Sequence, residues 1–122
     1  MSEVFTGLAV TDHAAAEPWY ERLFGEEPFM RPHDTESAWQ LEEHAWVYVV
    51  QDAERAGRGL LTVIVDDLDA QLAGLAERGL TTDPVATMDN GVRTAEIRDA
   101  DGNLIKFGQP PSKEGPAGAG PS

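Results

Sequence analysis

Three histidines, twenty-two carboxylates, four serines and no cysteine are the groups from which this chain could build a reactive site. Without cysteine there is no disulfide, thiolate metal site or thiol nucleophile. A divalent cation needs several imidazoles or carboxylates converging on one point. His13 falls at a helix start, His33 in a loop after Pro32 and His44 in a hairpin turn, so each reads as a solvated surface residue. Most carboxylates fall on helix faces or in turns, and spacing alone pairs none of them for acid–base work. Ser2, Ser37, Ser112 and Ser122 are not set in a nucleophile-elbow sequence, so hydrolase chemistry has no support.

One pair of charges is placed by spacing. Arg98 to Phe107 reads as a hairpin turn feeding a strand, with Gly102 free to take a positive φ. A type I turn closed there sets Asp99 opposite Asn103. Counting outward, Glu96 faces Lys106 on one side of the hairpin, while Ile97 faces Ile105 and Ala95 faces Phe107 on the other. The apolar side calls for a helix. The charged side is free to line a site.

The elements that would position this pair follow from periodicity. Val4 to Val10 is a strand, and Gly7 marks a close approach to its backbone or a bulge. Ala14 to Phe24 is helical in pattern and closes at Gly25, but Pro18 moves the expected regular start to about Ala16. Glu27 to Met30 reads as a short strand and residues 31–35 as a loop. Ser37–Leu41 and Ala45–Val50 make a hairpin in which Trp46, Tyr48 and Val50 share a face, with the register of Trp39 left open. Leu60–Val65 is a strand, and a helix capped by Asp66 or Asp67 runs from Leu68 to Gly79. Val85–Met88, Val92–Arg98 and Asn103–Gly108 are three further strands. The Pro/Gly-rich segment 110–122 is expected to be disordered.

This order is strand, helix, three strands, written twice at an offset of roughly 55 to 58 residues, which marks an internal repeat. Val10-Thr11-Asp12 echoes Val65-Asp66-Asp67. The hairpin motif Asp99-Ala100-Asp101-Gly102-Asn103-Leu104-Ile105-Lys106-Phe107 and the segment Pro18-Trp19-Tyr20-Glu21-Arg22-Leu23-Phe24-Gly25 resemble the vicinal oxygen chelate superfamily, the glyoxalase, bleomycin-resistance and extradiol dioxygenase group. The resemblance implies an α+β fold of two βαβββ modules, about 3–51 and 60–109, within one domain spanning 1–109. It further implies a curved mixed sheet around a concave trough, with helices outside.

In metal-dependent members of that group, four side chains converge from the first and last strands of each module. The first-strand ligand lies seven residues before the aspartate that ends the strand, which gives Phe5 and Leu60 here. The last-strand positions are Tyr48 and Lys106. Phenylalanine and leucine have no donor atom, and lysine repels a cation. No metal or other cofactor is therefore expected. The expected trough is lined by Phe5, Gly7, Trp46, Tyr48, Leu60, Thr62, Glu96 and Lys106, with Trp39 and Met88 beside them, an aromatic profile suited to a small molecule.

Three functions follow: a metal-free binder, such as a drug-sequestering protein; a lyase, isomerase or dioxygenase with non-standard ligands; or an interaction module whose trough is filled. The formal charge of −13 disfavours nucleic acid and anionic membranes and fits a cationic ligand, while aromatic walls fit a planar one. No apolar run approaches the ~20 residues that span a bilayer, and the N-terminus carries no signal-peptide pattern, so a cytoplasmic protein is expected. The resemblance also implies a homodimer.

Overall fold

A computed structural model describes residues 2–111 of the chain. The first module contains β1 (Val4–Val10), α1 (His13–Phe24), β2 (Met30–His33), β3 (Glu36–Glu42) and β4 (Ala45–Gln51). The second contains β5 (Leu60–Ile64), α2 (Leu68–Glu77), β6 (Ala86–Thr87), β7 (Arg93–Arg98) and β8 (Leu104–Gln109). Each module forms its own four-stranded mixed sheet, ordered β1-β4-β3-β2 and β5-β8-β7-β6. β1 runs parallel to β4 and β5 parallel to β8, and the other neighbours are antiparallel. The second module ends at Gln109, and the tail expected to be disordered lies, from residue 112 on, outside the described residues.

The repeat is repeated in its caps. Asp12 and Asp67 both hold an extended backbone, and each side chain accepts the amide of the residue three further on, Ala15 at 3.3 Å and Ala70 at 3.0 Å. That satisfies one of the free donors of a helix N-terminus. The cap at Asp12 starts α1 at His13, three residues ahead of the expected Ala16. Pro18 is carried inside the helix; it only removes the donor for the carbonyl of Ala14, a residue exposed to water. Gly25 closes α1 in the left-handed conformation, φ 78°, and donates to the Glu21 carbonyl.

The second strand also departs from expectation. It begins at Met30 rather than Glu27 and takes in Arg31, Pro32 and His33 instead of leaving them in a loop. β2 is a sheet edge, so the missing N–H of Pro32 costs no ladder bond. The strand expected at Val85–Met88 shrinks to Ala86–Thr87, with Met88 and Val92 closing the turn behind it.

One apolar core serves both modules. Leu8, Val10, Val47 and Val49 of the first sheet, Tyr20 and Leu23 of α1, Leu68 and Leu75 of α2, and Ala95, Ile105 and Phe107 of the second sheet are all buried in it. The core-side register of β7 and β8 is the one expected: Ala95 pairs with Phe107, Ile97 with Ile105 and Asp99 with Asn103.

Polar contacts lock the modules together at the β7–β8 turn. The Tyr20 hydroxyl of α1 donates to Asp99 Oδ2 at 2.6 Å. Asn103, fully buried, donates through Nδ2 to Asp99 and to the Ala9 carbonyl, and its Oδ1 accepts the Gly59 amide at 2.7 Å. Asp99 Oδ1 accepts the amides of Asp101 and Asn103. At the other end of the helices, the Arg78 guanidinium donates to the carbonyls of Arg22 and Leu23.

Burial, reinforced by the neighbouring Asp99 carboxylate, pushes the Tyr20 phenol far above its ordinary pKa of 10.0. An unfolded chain would release this proton near its ordinary value while the folded chain holds it. The stabilisation is therefore complete below about pH 10 and is lost as pH rises beyond it. Absorbance titration of the phenolates should show Tyr20 ionising only together with alkaline unfolding. Tyr20→Phe should lower stability by about 1–3 kcal/mol, because Asp99 loses a donor in a buried site.

Candidate functional site

The faces turned away from the helices differ in chemistry between the modules. On the first sheet, alternation along β1 puts Leu8 and Val10 in the core and Phe5, Gly7 and Ala9 on the open side. Register sets Phe5 beside Trp46 and Gly7 beside Tyr48. The rings of Phe5 and Trp46 stack at 5.4 Å with planes 14° apart, and Phe29 meets the indole edge-on at 5.2 Å. Phe5 remains 47% exposed and Phe29 68% exposed, so this aromatic run is open to a ligand rather than spent on the core.

Glu3 fixes the indole. It accepts Trp46 Nε1–H at 2.8 Å through one oxygen and contacts His44 Nδ1 at 2.8 Å through the other. The hydrogen bond from His44, helped by that from Trp46, holds its carboxyl below the usual carboxylate range. Sequence reasoning had no signal for Glu3, which precedes the first strand, or for the contact of Phe29, which sits in the strand expected at Glu27–Met30 but just ahead of β2.

Tyr48 lies across β1 at Gly7. A Cβ at Gly7 would stand 2.4 Å from the Tyr48 ring, so glycine is what lets the ring lie down there. This is the close approach expected at Gly7.

On the second sheet, Thr62, Lys106 and Glu96 form one row across β5, β8 and β7. Lys106 Nζ stands 3.7 Å from Glu96 Oε2, with both side chains more than a third exposed. The pair forms as spacing predicts, but in water rather than in a dry interior. Leu60 and Ile64 are 73% and 65% exposed on the same sheet. Met88 is exposed in the turn after β6.

Trp39 does not belong to this set. It pairs with Val47, sharing the core side of the sheet, is fully buried against Tyr20 and Phe24, and donates Nε1–H to the Glu26 carbonyl at 3.0 Å. Among the described residues, no hydrogen bond, ion pair or aromatic contact joins Phe5, Trp46 and Tyr48 to Leu60, Thr62, Lys106 and Glu96.

His13 is a second correction. It is 6% exposed, not a surface residue, because the cap at Asp12 turns the first residue of α1 inward. Its Nε2 lies 2.7 Å from Ser37 Oγ, whose single proton goes to Glu17, so Nε2 is the nitrogen that carries the hydrogen. Arg31 grips Glu17 through two bonds of 3.0 and 2.9 Å and holds its carboxyl below the usual range. Ser37 is fully buried, so no substrate reaches its hydroxyl, and the cluster ties α1 to β2 and β3.

The chemistry of the donor set decides whether a metal fits. Phe5 and Leu60 offer only carbon, Tyr48 one phenol and Lys106 an ammonium. Among the described residues, no group of three or more histidine or carboxylate side chains could hold a metal ion. These side chains do not fit a divalent cation.

A family model described as Glyoxalase/Bleomycin resistance protein/Dioxygenase superfamily matches residues 4–107. The chain belongs to this superfamily. Among solved structures it is similar to a glyoxalase / bleomycin resistance protein from Catenulispora acidiphila DSM 44928, with 46% identity and a TM-score of 0.87 over 91% of this chain and 100% of that one. It is also similar to TnmS3, an antibiotic binding protein from Streptomyces sp. CB03234, at 26% identity and a TM-score of 0.72 over 90% of this chain and 97% of that one. A lactoylglutathione lyase from Agrobacterium tumefaciens, at 21% identity, shares the fold, with a TM-score of 0.69 over 88% of this chain and 92% of that one. Among curated proteins none matches. The fold is thus shared by an antibiotic binding protein and a lactoylglutathione lyase, and it does not by itself fix the chemistry of this member.

The exposure of the Lys106–Glu96 pair sets its energetic weight. Lys106→Met should move the chemical-denaturation midpoint by the equivalent of less than about 1 kcal/mol, as exposed pairs do. A larger loss would mean that the pair is closed off from solvent.

Proposed function

We propose that this protein is a metal-free small-molecule binder whose ligand lies on the open faces of the two sheets. The observation that carries the reading is the half-exposed Phe5–Trp46 stack, held in place by Glu3 where metal-dependent members of the superfamily place a ligand-bearing strand. A planar apolar body can extend that stack, and an exposed aromatic pair is more valuable covered than bare. The antibiotic-binding description of TnmS3 supports the same class of ligand here. The Thr62, Lys106 and Glu96 row supplies polar contacts on the second face. A cytoplasmic location accords with the reading, and no described helix is long and apolar enough to cross a membrane.

Metal content is tested on protein prepared without an affinity tag. Elemental analysis should find no stoichiometric zinc, nickel, manganese or iron. Titrating each metal should leave the melting temperature of a His33→Ala/His44→Ala variant unmoved. A rise that persists in this variant would show a real metal centre and return the protein to the enzymes. In parallel, planar aromatic compounds that raise the melting temperature should lose their effect in Trp46→Ala, since stabilisation by a ligand scales with its affinity for the folded state.

We infer further that two copies pair. Val4, Phe5, Leu60 and Ile64 are exposed apolar residues on the first strands of both modules, and each such strand is a sheet edge. Light scattering at tens of micromolar should give the mass of a dimer, and a monomer mass would refute the pairing.

A further inference from the structure

The segment joining the modules, residues 52–59, is held at both ends. Asp52 donates its amide to the Val10 carbonyl, and its side chain accepts the amides of Glu54 and Arg55. At the far end Gly59 donates to Asn103 Oδ1, and its carbonyl accepts the Leu104 amide at 2.9 Å. Gly57, at φ 85°, packs so close to the Asp101 carbonyl that a Cβ would stand 2.3 Å from it. The backbone of the linker is fixed by these bonds.

Two cations project from it, Arg55 with its side chain 84% exposed and Arg58 exposed. Arg55, Arg58 and Gly59 line, with Gly7 and Ala9 of β1, an open recess of about 280 Å³. Gly7 and Ala9 are on the open side of β1, two and four residues along from Phe5. At a rise of about 3.3 Å per residue, the recess begins roughly 7 Å from the aromatic stack. Tyr48, whose hydroxyl end lies over Gly7, stands between the two. Arg55 already shares Asp52 at 3.3 Å, whereas Arg58 makes no ion pair among the described residues. Ala9 has no side chain large enough to obstruct the approach, and at Gly7 a ligand would pass over the Tyr48 ring.

We propose that Arg58, assisted by Arg55, is the anion-binding end of the ligand site. The ligand class is then an apolar planar body joined by a short spacer to a carboxylate, sulfonate or phosphate. The assignment rests on the ligand-site reading above and sharpens it. It also opposes the inference from net charge: a chain of −13 should attract cations, and with Asp52 and Glu54 on the same loop an anion preference would rest on Arg58, which has no ion pair among the described residues. The sign of the preference is therefore diagnostic.

The test uses three probes with one body, 4-(2-naphthyl)butanoate and the corresponding alcohol and amine, titrated calorimetrically into the full chain. The butanoate should bind about tenfold tighter than the alcohol, the scale of one charge-assisted contact in a partly wet site, and the amine weakest. Raising the salt concentration should narrow that gap. In Arg55→Gln/Arg58→Gln the preference for the butanoate over the alcohol should vanish, with the melting temperature checked to show that the variant folds. Equal affinities for all three probes, tightest binding of the amine, or a preference that survives the double substitution would overturn the anion assignment and leave the aromatic site standing. Failure of every probe to bind would instead remove the ligand-site reading, and this assignment with it.

Discussion

The constraint on which most of the structure depends is the carboxylate of Asp99. It is 8% exposed and accepts from Tyr20, Asn103 and two backbone amides at once. A buried carboxylate is tolerable only when its oxygens are so occupied. By filling them, the chain joins three things that are far apart in sequence: the helix of the first module, the last hairpin of the second and, through Asn103, both β1 and the linker. The shape of the turn and the docking of the two modules are thus a single network, in which removal of one member leaves the others buried without partners.

Much of this architecture can be read from the chain because it rests on short-range rules. Two Val-x-Asp strand ends become two equivalent helix caps, and Asp99 to Asn103 closes with Gly102 at φ 103°. The departures have common causes. Pro18 and Pro32 argue against regular structure on propensity alone, yet one is carried in a helix whose cap lies upstream and the other on a strand with no outer neighbour. Trp39 and His13 were ambiguous or misplaced because a shift of one residue in register or in helix start reverses the side on which a side chain falls. The hydrogen bonds that then satisfy them, to Glu26 and to Ser37, come from elements remote in sequence.

The site follows the same division. Which residues share the open side of a strand is a matter of alternation, and Phe5, Trp46 and Tyr48 are found there, as are Thr62, Glu96 and Lys106. What those residues lean on is not. Glu3 beneath the indole, Phe29 at its edge and the linker arginines beside Gly7 depend on tertiary folding. The net charge is equally uninformative about the site, since a sum over the whole surface does not describe any one recess on it.

The contact between Gly7 and Tyr48 bears on how such a strand can change over generations. The end of the Tyr48 ring fills the space of a side chain at position 7, so any residue other than glycine there must displace that ring. A replacement at position 48 by a smaller group removes that barrier. Substitutions at the two positions are therefore coupled, and a change at 48 on the neighbouring strand eases one at 7 on β1.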